Sequence, residues 1–194
     1  MLISYKRLLN TPVMSLQTGA KLAETHKILV DPRDLTICAY ELTGPVLDQR
    51  PSFLRPVDVR ELSSLGLIVD SSDEFVGLSD VIVIEQVHGY DFDLVGLDVI
   101  DDRQKKLGKV SAYNVDSESF SVQQLVVKRP LLKSFTETEL LINREQVLEV
   151  HESHVKVKST YVESKVKPSV REFANPFRSS NVQPESIDNE PRWS

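Results

Sequence analysis

The sequence predicts an all-β protein: two small β-barrels in tandem, followed by a disordered C-terminal tail. Three observations carry this. Residues 13–45 recur, with apolar positions and turn in step, as residues 99–130. Within each copy, short runs rich in Val, Ile, Leu, Tyr and Phe are cut by polar turns, the habit of strands rather than helices. Beyond Thr160 the composition changes to Ser, Asn, Glu and Lys with Pro168, Pro176, Pro184 and Pro191, too little apolar surface to offset chain entropy.

The repeat can be laid out residue by residue. Val13 meets Val99, and after one gap in the first turn Leu22 meets Leu107, Ile28 meets Tyr113 and Val30 meets Val115. Asp31 meets Asp116, Leu35 and Ile37 meet Phe120 and Val122, and Leu42 meets Val127. A looser second block sets Leu54 on Ile142, Val59 on Val147, Leu62 on Val150 and Val69 on Val157, with Val57 on Glu145 and Ile68 on Lys156 as mismatches. Asp31-Pro32-Arg33-Asp34 is a strong turn signal before a strand over residues 35–42. Strict alternation there would set Leu35, Ile37, Ala39 and Glu41 on one face, and Thr36, Cys38, Tyr40 and Leu42 on the other. Short strands with turns at this spacing point to a small barrel, which also removes exposed sheet edges. The expected domains are residues 1–80 and 81–159, with the tail at 160–194. Residues 81–84 (Val-Ile-Val-Ile) fit a strand or a buried helical turn; their β-branching favours the strand, and either would join the two barrels.

The 194 residues carry a net charge of −6, divided as −3 over residues 1–80, −3 over 81–159 and zero in the tail. Duplex nucleic acid is held by neutralising phosphates, so direct nucleic-acid binding is not favoured. The densest basic stretch, Arg103, Lys105, Lys106 and Lys109, follows Asp101 and Asp102 and has the make-up of a solvated turn. Cys38 is the single cysteine, so no intrachain disulfide argues for secretion. The first ten residues lack the apolar core of a signal peptide, and no stretch nears the roughly 20 apolar residues of a membrane helix. A cytoplasmic protein is expected.

No chemistry-bearing constellation stands out, and no catalytic residue, cofactor or metal is expected. His151 and His154 are three apart, a spacing that does not place both on one face of a strand. Asp91 and Asp93 flank Phe92 with strand-like alternation, aromatic in and acids out. Cys38, within an apolar run, has the setting of a small core residue rather than a nucleophile. The seven glycines fit no phosphate-binding spacing. Candidate partner contacts are Leu131, Leu132 and Phe135, beside Lys128, Arg129 and Lys133, and the tail residues Phe173, Phe177 and Arg178.

The second copy reads Leu94-Val95-Gly96-Leu97-Asp98-Val99, then Lys106-Leu107-Gly108-Lys109-Val110, Asp116, and Leu125-Val126-Val127. This resembles the PRC-barrel family, named for the H subunit of the photosynthetic reaction centre, whose fold also forms the C-terminal half of a bacterial ribosome maturation factor. The first copy departs at Ala23, where the family usually has the glycine that the second copy keeps as Gly108. The resemblance covers residues 8–159. It implies adaptors that bind proteins, with ribosomal proteins as possible partners, and it implies no shared catalytic residues. The expected function is a non-enzymatic protein-interaction adaptor; the alternative is a ribosome- or RNA-processing-associated assembly factor.

Overall fold

The computed structural model describes residues 1–129 and 139–159. They form two seven-stranded sheets and one α-helix. No helix among them is long and apolar enough to cross a membrane.

The chain opens with β1 (Leu2–Ser4), then builds a sheet from β2 (Pro12–Ser15), β3 (Lys21–Asp31), β4 (Thr36–Thr43), β5 (Ser52–Leu54), β6 (Glu61–Leu62), β7 (Leu67–Val69) and β8 (Phe75–Gly77). Its strand order is β6-β7-β2-β3-β4-β5-β8, with β2 and β7 parallel. After helix α1 (Ile82–Gly89), a second sheet follows from β9 (Asp98–Asp101), β10 (Lys106–Asp116), β11 (Val122–Lys128), β12 (Glu139–Asn143), β13 (Val147–Val150) and β14 (His154–Val157). It runs β13-β14-β9-β10-β11-β12, again with its first and last long-range neighbours, β9 and β14, parallel. The order of the first sheet is therefore repeated strand for strand, save that no counterpart of β8 lies among the described residues. Each ladder is an open path among those residues. No pairing joins its two ends, so the closure expected of a barrel is not seen in the hydrogen bonding.

The repeat extends to the irregularities. Between β2 and β3 the register skips Leu22, and between β9 and β10 it skips Leu107. Between β3 and β4 it skips His26 and Cys38; between β10 and β11 it skips Ser111 and Gln123. Each pair occupies the same place in its copy. A bulge adds one residue, bends the strand and turns the following side chains to the other face. This corrects the simple alternation expected along residues 35–42. Because Cys38 is the extra residue, Ile37, Tyr40 and Leu42 all enter the main core, while Ala39 lies on the opposite side under α1.

Of the two readings open for residues 81–84, the helical one is found rather than the favoured strand: residues 82–84 enter helix α1, with Val81 at its N-cap. The reason is tertiary. Ile84 and Val87, three apart, fall on one helical face and pack on Leu29, Ala39 and Phe53. Burial of that face outweighs the β preference of a short Val-Ile run. The Asp80 carboxylate accepts from the Gly77 N–H (2.6 Å) just before the helix, and Gly89 closes it. The corresponding face of the second sheet carries Asn114, Gln124 and Asn143, linked by side-chain hydrogen bonds of 2.8 and 3.3 Å, and receives no described helix.

The two copies meet at their central hairpins. Ile37 donates its N–H to the Phe120 carbonyl (2.9 Å) and Val122 donates to the Leu35 carbonyl (2.8 Å), with Thr36 and Ser121 as the bridged pair. Leu35 and Phe120 are equivalent, and both adopt left-handed backbone, φ 54° and 51°. Such a conformation costs a non-glycine residue on the order of 1–3 kcal/mol. It is held by local bonds of identical form: Leu35 N–H to the Asp31 carbonyl and Phe120 N–H to the Asp116 carbonyl. Around this bridge the buried side chains of both halves merge into one cluster, including Tyr40, Leu54, Val99, Tyr113 and Ile142. Phe120 of the second copy meets Tyr40 of the first edge to face, centroids 6.4 Å apart. β1 reinforces the union: it pairs with the end of β10 (Leu2 on Asp116, Ser4 on Asn114), and Tyr5 stacks on Tyr113. Thus the first strand of the chain lies in the sheet of the second half.

Gly108 marks a close approach. A Cβ there would collide with the carbonyl of Lys128 on the facing strand. The first copy solves the same crowding differently: Ala23 keeps its methyl, and the facing position is Gly44, whose missing Cβ would lie 3.3 Å from the Ala23 Cα. The alanine at position 23, where the second copy has Gly108, is thus matched by a glycine on the neighbouring strand. Gly108→Ala is expected to destabilise the protein by about 1–3 kcal/mol, as overpacking against backbone does. Urea unfolding followed by circular dichroism checks this; an unchanged midpoint would contradict the close approach.

Acid should weaken the hairpin turns. The Arg33 guanidinium, bidentate on Asp31 at 2.6–3.1 Å, holds the Asp31 carboxyl below its ordinary range. The backbone N–H groups of Ser119 and Glu118 do the same for Asp116. A carboxyl lowered in the folded state stabilises it above the unfolded value, about pH 4. That stabilisation is lost as pH falls further. The urea midpoint is expected to drop below about pH 4, and Asp31→Asn to give a shallower acid slope from a lower neutral-pH stability. Parallel acid slopes for the two proteins would contradict this.

Candidate functional site

The union of the two copies leaves a groove along its seam. One stretch, of about 490 Å³, is lined by Pro32 and Arg33 from the first hairpin turn, Tyr90 and Phe92 from the segment after α1, and residues 150–154 from the β13–β14 hairpin. It continues past Arg33 into a smaller recess of about 160 Å³ beside Arg144 and Leu148. No residue set contributed by one copy alone makes this surface.

Each side chain is set by local structure. His151 and His154 bracket a two-residue loop, Glu152-Ser153, and His151 donates its N–H to the His154 carbonyl (2.9 Å). In a hairpin, the residues at either end of the loop stand directly opposite each other. The rings therefore stack, centroids 4.6 Å apart and planes 23° from parallel. This overturns the expectation that a spacing of three separates them. The signal was present in the repeat: the counterpart loop, Ser63-Ser64-Leu65-Gly66, is closed by the same bond from the Ser63 N–H to the Gly66 carbonyl. His151 Nε2 lies 3.3 Å from Glu149 Oε2, and His154 Nδ1 lies 3.2 Å from Ser153 Oγ. The His151 contact, with Lys156 behind it, lowers the Glu149 carboxyl. No group of three or more metal-ligating side chains occurs among the described residues.

Opposite the histidines, Phe92 is buried and anchors the connector, while Tyr90 is half-exposed at the groove edge. Asp91 and Asp93 point outward around Phe92, as their alternation implied, although the segment is a turn and not a strand. Asp91 pairs with Lys27 at 3.2 Å and Asp93 accepts the Val95 N–H at 2.9 Å. Arg33 is committed to Asp31, so it offers the groove a planar guanidinium with its charge balanced. Arg144 lies at the far end, donating to the carbonyls of Leu35 (3.4 Å), Val122 (3.3 Å) and Asp34, backbone from both copies.

Other expected features fall elsewhere. Lys106 and Lys109 are engaged with Asp98 at 2.8 and 3.3 Å, in keeping with a solvated surface rather than a basic patch. A second hollow, of about 780 Å³, contains His26 and Arg50 on the first copy, with His88 from α1. Leu131, Leu132, Phe135, Phe173, Phe177 and Arg178 lie outside the described residues, as does the whole tail 160–194.

No protein-family model and no curated protein matches the chain.

Burial pushes the Cys38 thiol up to about 11, since the bulge lays it against the apolar layer under α1. The thiolate is the reactive form. Native protein at pH 8 is therefore expected to alkylate at Cys38 far more slowly than the urea-unfolded chain, as followed by mass spectrometry. Equal rates would contradict the burial.

Proposed function

We propose that this protein is a non-enzymatic protein-interaction adaptor built from two PRC-barrel-like units, with the seam groove as a docking surface. The observation that supports this most directly is that the groove is lined by both repeats, which meet across their central hairpins. Its lining combines half-exposed Tyr90, the stacked imidazoles of His151 and His154, the apolar body of Pro32 and the planar face of Arg33. Aromatic and Arg surfaces around an apolar floor are what protein contacts enrich. The groups that ring it are mostly engaged with neighbours within the protein, which suits a surface that holds a partner rather than one that transfers protons. On sequence grounds Leu131, Leu132, Phe135, Phe173, Phe177 and Arg178 are proposed as additional contacts. Ribosomal proteins are the partners that the family resemblance suggests.

The test is affinity capture with the full chain and its Tyr90→Asp variant, with and without nuclease. The expected result is a nuclease-resistant protein partner that the variant retains at least about tenfold less well, as loss of an aromatic anchor to a buried charge produces. Ribosomal components that disappear on nuclease treatment would instead favour the assembly-factor reading. A partner held equally by both proteins would remove the groove from the interface.

A further inference from the structure

The first copy carries polar side chains that the repeated unit does not require. His26 is a residue that the β3–β4 register skips, and Glu41 lies beside it on β4. Their counterparts in the second copy are Ser111 and Val126. There the Ser111 hydroxyl donates to the Val126 carbonyl at 3.1 Å, and the same bulge and ladder form without an imidazole or a carboxylate. His26 and Glu41 are therefore not what shapes the strand pair. Both line the hollow of about 780 Å³, whose other titratable side chains are Arg50 and His88.

Three elements bring the nitrogen-bearing groups of this hollow together: His26 from β3, His88 from the last turn of α1, and Arg50 from the loop before β5. The surroundings are fixed. The His88 ring stands edge-on to buried Phe53, centroids 5.7 Å apart and planes at 80°. The loop is tied by the Ser52 hydroxyl, which donates to the Gln49 carbonyl at 2.6 Å, and the Gln49 side chain sits against Gly77, where no Cβ would fit. Leu47 packs on the joint core, and Pro45 and Pro51 restrict the backbone on either side of it. Each imidazole donates an N–H whether neutral or charged, and the guanidinium is charged throughout.

We propose that this hollow binds a small phosphate monoester. Arg50, His26 and His88 donate to the phosphate oxygens, Glu41 accepts from the phosphate O–H or from a hydroxyl of the ligand, and the apolar body of the ester lies against Pro45, Leu47 and Pro51. A tetrahedral anion presents oxygens in several directions, which suits donors delivered from three elements; a planar carboxylate is satisfied by a guanidinium alone. The inference does not depend on the adaptor reading.

Titration of the full chain with phenyl phosphate, followed by NMR, tests it. The expected result is saturable shifts of the His26 and His88 ring signals with a Kd of about 1 mM or tighter. The amides of Ser111 and Val126, at the same place in the second copy, should stay unchanged. Arg50→Gln is expected to weaken binding at least about tenfold, as loss of a charge-assisted bond does, with the amide spectrum away from the loop unaltered. Failure of the two histidine rings to shift saturably would overturn the proposal. So would equal binding by Arg50→Gln, or benzoate that binds as tightly as phenyl phosphate, which would leave a hollow without selectivity for phosphate.

Discussion

The structure depends on a pair of backbone hydrogen bonds exchanged between two hairpins. Ile37 to Phe120 and Val122 to Leu35 are the same bond made twice, once in each direction. Reciprocity of this kind follows when two copies of one unit face each other across an approximate twofold axis. The left-handed backbone at Leu35 and Phe120 aims the carbonyls outward for this exchange. The strain is tolerated because the turns below are tied down by Asp31 and Asp116, and because Leu35 is buried in the joint core and Phe120 packs partly buried against it. Arg144 adds a charged donor to carbonyls of both copies at the same place.

The seam groove is a by-product of that union. The hairpin turn carrying Pro32 and Arg33 is brought against the β13–β14 hairpin of the other copy, and the connector after α1 is laid across the gap by buried Phe92. A surface built this way needs no special loop. It uses two hairpin turns of kinds that both copies have and the connector between the copies, and it varies with the residues placed there: a histidine pair in the second copy where the first has Ser63 and Gly66.

Several differences between the copies fall where the partner surface differs. Leu29, Ala39 and Phe53 against Asn114, Gln124 and Leu141 decides that α1 covers the first sheet only. Gly44 facing Ala23, against Gly108 facing Lys128, moves one glycine across a strand pair without changing the spacing. The positions that shape the backbone, the three bulges and the two turn aspartates, stay in register throughout.

The sequence by itself determined that the protein is mostly β, that its strands recur and which residues correspond. Those properties lie in local composition and in the order of apolar positions, which a linear reading sees. Val13 on Val99, Asp31 on Asp116 and Leu42 on Val127 are equivalent in register as they are in alignment. It also placed Phe92 inward between two outward acids. Only the tertiary structure decided between strand and helix at residues 82–84, because the burial that overrides β-branching comes from Leu29, Ala39 and Phe53, distant in the chain. Only it brought His151 and His154 face to face, since alternation fails at a two-residue hairpin loop. Bulges at His26 and Cys38 add a residue without any mark in composition, so the face on which Tyr40 lies could not be counted out along the strand. The seam is the furthest from legible: its residues are far apart in sequence, and what joins them is a hydrogen-bond exchange between backbones, which no side-chain pattern encodes.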